Sequence, residues 1–255
     1  MLVYFDESYD SNKDFLILGA LFNPEPKAVH SAMLKVKRDR HYVDASGQPR
    51  EIKYSISGNR RRYEVARECV NCFGSSQSWF RAIVIETRRG TFDLSYFGHA
   101  FEADAMKWAR AYKRFGEMLL SNNSANIENG VLLTDRLTRT RGDLFLELMR
   151  EGFSRPGIAF STGKARPTFR HIQEVDTALP AYQVGQIGDI LMGTILNALK
   201  PTVNEYKTRL RAHVTRTLSL PSLQPAYWQQ LSKWQAEAVH PKFGIWYWRP
   251  TQAKV

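Results

Sequence analysis

Residues 2–5 are apolar and lead directly into Asp6-Glu7. A second apolar run, residues 15–22 (FLILGALF), follows a polar turn holding Asp10, Ser11 and Asn12. Apolar runs of this length between turn residues predict two strands paired antiparallel. Pro24 and Pro26 bracket the start of a helix to about Arg38, with Val29, Met33 and Val36 at helical spacing. Residues 39–58 read as loop with a short extended piece at Glu51-Ile52-Lys53-Tyr54. A helix is predicted over 63–73, with Tyr63, Ala66 and Val70 on one face, then a strand over 80–86. A long helix over 100–120 carries Phe101, Ala105, Trp108, Ala109, Tyr112 and Phe115.

The second half repeats the alternation. Gly130–Asp135 (GVLLTD) is an apolar strand ending in an acid, residues 142–152 form a helix, and Phe169–Val175 is a strand followed by Asp176. Residues 183–199 form a strongly apolar helix that Lys200-Pro201 ends. This order of ββα then αβ units predicts the α/β class, a mixed sheet flanked by helices. The pattern divides the chain into a domain over 1–200 and, over 201–255, a helical extension with an aromatic tail.

The 183–199 helix places Val184, Ile187, Leu191 and Ile195 in one stripe at about 100° per residue, with Gln186 and Asp189 on the opposite side. Ile190, Met192 and Leu196 fill most of the remainder, so the helix is expected to be buried. An ionised Asp189 in its middle costs several kcal/mol unless it is paired or bound to metal. Gly185 and Gly193 each cost about 1 kcal/mol of helix propensity against Ala, which makes sense where another backbone approaches closely.

Each acid has an ordinary explanation. Asp189 could take a buried Arg or Lys, or bond a neighbouring strand. Asp135 could cap the next segment, and Asp6 could open a turn. Together, two acids ending apolar strands and one inside a buried helix point to a shared site. If the two strands are parallel neighbours, Asp6 and Asp135 emerge side by side, and a helix across that edge supplies Asp189. Such carboxylates suit a pair of divalent ions in phosphoryl transfer.

Charge strengthens that picture. The 255-residue chain has 36 Lys+Arg against 25 Asp+Glu, a formal +11. The arginines cluster: Arg60–Arg61–Arg62, Arg88–Arg89, then Arg136, Arg139 and Arg141 just after Asp135. Lys207, Arg209, Arg211 and Arg216 share one late helix. A polyanionic partner, nucleic acid, is expected. With 43% hydrophobic and 24% charged residues the chain reads as globular, and no apolar run approaches the roughly 18 residues that span a bilayer. Two cysteines, and no basic-then-apolar leader, make a cytoplasmic setting the expectation. Cys69-Val70-Asn71-Cys72 lacks a second ligand pair and reads as helix packing rather than zinc.

At this point the residues resemble the DUF3800 family. Its marks are an N-terminal Y-x-D-E-S segment, here Tyr4-Phe5-Asp6-Glu7-Ser8, and a C-terminal Q-x-x-D, here Gln186-Ile187-Gly188-Asp189. Weaker agreements are Glu51-Ile52-Lys53-Tyr54, the strand ending in Asp135-Arg136, and Val175-Asp176-Thr177. The resemblance spans about residues 1–200. Departures are Tyr9 for Gly, Gly188 for Ala and Thr177 for Ser, none of which removes a carboxylate. The resemblance implies an RNase H-like, RuvC-like fold, and a setting among mobile elements and phage-defence loci. It further implies Asp6, Asp135 and Asp189 as metal ligands, with Glu7 or Asp176 as a fourth. Gln186 would orient Asp189 or touch substrate, and Lys53 would contact phosphate or the metal-bound water, where it is not an ordinary strand lysine. Glu102 and Asp104 lie where such sites take another acid, but a solvated helix face explains both.

The expected function is therefore a nuclease dependent on Mg²⁺ or Mn²⁺, two ions, hydrolysing phosphodiesters of DNA or RNA. Asp6, Glu7, Asp135 and Asp189 are its catalytic candidates, with Arg136 and Arg139 positioning the backbone. Glu7, next to Asp6 in an extended chain, points to the opposite face unless the backbone bends. Two alternatives remain: a non-catalytic nucleic-acid-binding or scaffold protein on the same fold, and a phosphohydrolase acting on a nucleotide. In the tail, Tyr227, Leu231 and Trp234 form an amphipathic face. Phe243, Trp246, Tyr247 and Trp248 beside Arg249 would stack on bases, or pack on the core or a second subunit. A homodimer or a defence-complex partner would use that extension.

Overall fold

The structure is a computed structural model that describes residues 1–88, 92–121, 127, 129–135, 144–158, 166–220, 222–223 and 241–248. Six strands form one mixed sheet: β1 (Leu2–Tyr9), β2 (Phe15–Asn23), β3 (Trp79–Glu86), β4 (Gly130–Asp135), β5 (Phe169–Val175) and β6 (Phe243–Trp248), in the order β5-β4-β1-β2-β3-β6. β1, β2 and β3 pair antiparallel, β4 runs parallel to β1, β5 to β4 and β6 to β3. β2 is buried at all nine positions, as a central strand covered on both faces must be, which is why FLILGALF is apolar throughout.

Helices α1 (Pro26–Asp39), α2 (Arg60–Ser75), α5 (Gly185–Leu199) and α6 (Glu205–Thr217) cover one face. There Tyr4, Ile17, Leu21, Val84 and Leu133 meet Met33, Val70, Ile187, Met192 and Leu210. Helices α3 (Asp104–Ser121) and α4 (Phe145–Phe153) cover the other, where Val3, Phe5, Leu16, Leu18 and Leu132 meet Phe115, Leu119 and Met149. Alternate residues of β1 thus feed alternate cores, as the two-residue strand period requires. Each fully buried Phe or Leu contributes about 1.5–3 kcal/mol of transfer free energy.

Two details locate the ends of α5 and α6. Lys200, at the end of α5, binds Asp10 at 2.7 Å and also Asp14, tying the helix to the β1–β2 turn. Asn204 caps α6 by accepting the Lys207 N–H at 3.1 Å and donates to the Gly58 carbonyl at 3.0 Å, pinning α6 to the loop before α2.

The expected α/β class and mixed sheet flanked by helices are observed. The extension differs at its far end. Residues 243–248, expected in a helical extension with an aromatic tail, form β6 on the sheet edge. Phe243, Ile245 and Tyr247 enter the core under α2 and α6, and Trp248 packs edge-on against Phe115 with centroids 4.9 Å apart. Tyr247 donates to Glu86 at 2.6 Å. The aromatic crowding reflects an alternating strand buried on both faces. Residues 227, 231, 234 and 249 lie outside the described residues. No described helix is long and apolar enough to cross a membrane.

Candidate carboxylate site

The last β1–β4 pair is Phe5 with Thr134, so Asp6 and Asp135 occupy the next step of two parallel neighbours. Both share parity with Tyr4 and Leu133 and therefore face α5. α5 is seated on β1 through Gly185, where a Cβ would lie 2.9 Å from the Tyr4 ring and 2.7 Å from the Thr177 methyl. Four helical residues advance about 6 Å and two strand residues about 6.6 Å, so a helix lying along β1 carries Asp189 to the level of Asp6.

The acids also act on one another electrostatically. The Asp6 carboxyl is held well above the usual carboxylate range, first by burial and then by the negative charges of Asp189 and Asp135. Asp189 is pushed up to about 6, mainly by burial, against the lowering effects of the Tyr54 N–H and Lys53. All three side chains keep partial solvent exposure. Lys53 belongs to the group too. Burial works against its charge, but Glu51, at 2.9 Å, and then Asp135 and Asp189 outweigh it and raise its pKa.

Each acid is also held by ordinary bonds. Asp189 accepts the Tyr54 N–H at 2.7 Å, and Asp135 accepts the Thr177 hydroxyl at 3.0 Å and its N–H at 3.3 Å. Asp6 accepts the Glu7 N–H at 2.7 Å. Oxygen donors on two strand ends and a buried helix suit a hard divalent cation chemically, and mutual repulsion at Asp6 is what a cation would relieve. As placed, however, no three or more His, Cys, Asp or Glu side chains among the described residues are gathered closely enough to hold an ion.

Other expected members stand elsewhere. Glu7 shares parity with Phe5 and is paired with Leu18, so it faces the α3 layer, where it bonds Tyr112 and raises the pKa of Tyr9. The unbroken strand register is the reason, so Glu7 is not grouped with Asp6. Asp176 is exposed, and its carboxylate closes an Asx turn by accepting the Ala178 N–H at 2.9 Å, so it is not a fourth member. Glu102 accepts from Arg110 at 2.5 Å, and Asp104 is an exposed helix-start acid beside Lys107, as a solvated face predicts. Arg136 and Arg139 lie outside the described residues, as do Arg89 and Arg141.

Gln186 is corrected from substrate contact to scaffold. It is 1% exposed. Its Oε1 accepts from Lys37 Nζ at 2.7 Å and from the Ile52 N–H at 3.0 Å, and its Nε2 donates to the Thr177 carbonyl at 2.6 Å. One amide thereby joins the loop carrying Lys53 and Tyr54 to the turn whose Thr177 holds Asp135. Lys37 is fully buried and also donates to Gln183 at 2.7 Å and the Arg50 carbonyl at 2.9 Å. A signal for it existed: Val29, Met33 and Lys37 recur at i, i+4 and i+8, placing a lysine on the buried stripe.

Cys69 is buried and Cys72 half-buried, both on α2, in keeping with helix packing. The chain matches no protein-family model, no curated protein and no solved structure.

Proposed function

We propose that the protein is a divalent-metal-dependent nuclease of RNase H-like type, with Asp6, Asp135 and Asp189 as the ligands of Mg²⁺ or Mn²⁺. The observation that carries this reading is the placement of three acids on one edge: parallel β1 and β4 end side by side in Asp6 and Asp135, and α5, packed on the same face, carries Asp189. Ions held by these residues would supply water activation and stabilisation of the leaving oxygen of a phosphodiester. Asp6, whose carboxyl feels the charges of both of the others, would be the ligand they share in holding an ion. Lys53, the cation coupled to Asp135 and Asp189, would meet a phosphate oxygen. Gln186 and Thr177 hold the supporting loops. Parallel β4 beside β1, and α5 across that edge, are the arrangement that the RNase H-like reading calls for.

The test is incubation of the parent, Asp6→Ala and Asp189→Ala with single- and double-stranded DNA and RNA plus Mn²⁺. The reading expects metal-dependent cleavage by the parent alone. Cleavage that survives both substitutions overturns the assignment.

A second reading is favoured by one observation: Asp135 and Asp189 already hold protein N–H and hydroxyl donors and are not gathered around a common point. On that reading the protein binds nucleic acid without turnover, and the acids brace loops. Salt-sensitive binding with no cleavage by the folded parent would select it.

A further inference from the structure

Two cavities open along α2. The first, about 410 Å³, is lined at the helix start by Tyr42, Arg50, Glu51, Asn59, Arg61 and Arg62. The second, about 420 Å³, lies where α2 meets α6 and is lined by Tyr63, Arg67, Asn71, Arg209, His213 and Arg216. Their linings hold six arginines against one carboxylate, Glu51, which is already paired with Lys53 at 2.9 Å. The acids beside the second cavity are engaged as well: Glu68 with Arg40 at 3.1 Å and Arg67 at 2.6 Å, and Glu205 with Arg209 at 3.1 Å.

His213 registers the resulting excess of positive charge. Burial, then Arg67 and Arg216, lower its pKa, with Glu68 alone opposing. The Arg209 guanidinium lies over the Tyr63 ring, 5.4 Å from its centroid, so a cation and an aromatic ring stand together in the groove. The first cavity adjoins the carboxylate site: Glu51 in its lining pairs with Lys53 at 2.9 Å, and the next residue, Tyr54, donates its N–H to Asp189 at 2.7 Å.

We infer that this surface, from the α2–α6 groove past Arg61 and Arg62 to the carboxylates, is the docking track for the phosphate backbone of a nucleic-acid strand. Its destination rests on the nuclease reading, but binding along it does not. Guanidinium forks match phosphate oxygens in pairs, and successive arginine-lined cavities follow a repeating polyanion better than an isolated ion does. Tyr63 beside Arg209 suits a stacked base next to a held phosphate. Among the described residues, no acidic side chain lines the second cavity to repel the strand.

The experiment titrates labelled DNA and RNA strands of about 20 nucleotides with the full chain in EDTA, from about 50 to about 200 mM salt. Arg209→Ala combined with Arg216→Ala is expected to weaken binding about tenfold or more and to lower the salt slope by about 1–2. Arg114→Ala, an exposed α3 position on the other layer, is expected to change neither. In the parent, the His213 imidazole pKa, read by NMR, rises when the strand binds, because the phosphates offset Arg67 and Arg216. Parental affinity and salt slope in the folded double variant, or a His213 titration indifferent to the strand, overturn the proposal. So does equal displacement of the strand by polyglutamate of similar length, which would show a site for acidic polypeptide. No turnover occurs in EDTA, so a parent without nuclease activity leaves the track standing, while a cleaving parent with unaltered groove-variant binding removes it alone.

Discussion

Asp189 Oδ2 accepts the backbone N–H of Tyr54 at 2.7 Å, which joins the middle of α5 to the loop that carries Lys53. A neutral amide can keep that bond but is a much weaker ligand for a hard cation. Asp189→Asn is therefore expected to retain its unfolding free energy within about 1 kcal/mol while losing metal-dependent cleavage about a hundredfold or more. Denaturant unfolding and cleavage rates on the same preparation check the two halves separately.

Glycines of α5 separate space from conformation. A Cβ at Gly193 would overlap the Tyr54 ring, whereas one at Gly188 meets nothing within 4 Å. Gly193→Ala is expected to destabilise by about 1–3 kcal/mol through overpacking. Gly188→Ala is expected to stabilise by about 0.5–1 kcal/mol through helix propensity. Thermal midpoints moving in opposite directions are the measurement.

Lys37 gives the pH dependence. Burial pushes its pKa down to about 8, below its ordinary 10.5. A depressed folded value means that its stabilising contribution is complete above the unfolded pKa and lost as pH falls through 8. The parent should therefore gain about 2 kcal/mol from this group between pH 8 and 10. Lys37→Met, which strips a donor from Gln183, Gln186 and the Arg50 carbonyl, is expected to cost about 1–3 kcal/mol at pH 7. Its deficit against the parent should widen towards pH 10 in denaturant titrations.

Glu7 tests the strand geometry. It faces α3 and bonds Tyr112. Glu7→Gln can keep such a bond and should leave metal-dependent cleavage within about threefold of the parent. Asp6→Asn should abolish it, and equal losses in cleavage rate for the two would contradict the assignment of faces.

Much of this architecture was legible in the sequence because most elements show either a helical period or an unbroken apolar run between turn residues. Phe15–Phe22 is apolar throughout because two layers cover it, and Gly130–Asp135 ends in its acid as read. Parallel pairing of β1 with β4 was the condition for bringing Asp6 beside Asp135, and it is met. What the sequence hid was set by tertiary partners. β6 looked like an aromatic tail because a six-residue strand with both faces buried has no amphipathic signature. Gln186 looked available to substrate because two of its partners, Lys37 and Ile52, lie more than 130 residues away in sequence. Asp176 looked like a ligand because an Asx turn and a strand-end ligand use the same residue in the same place.

The most direct test of the metal centre is anomalous diffraction from crystals of the parent bathed in Mn²⁺. The proposal predicts two manganese peaks about 3.5–4 Å apart, ligated by Asp6, Asp135 and Asp189, with Asp135 and Asp189 turned from Thr177 and Tyr54 towards them. Crystals in which these carboxylates keep their present hydrogen bonds, with no manganese beside them at saturating ion, would contradict it.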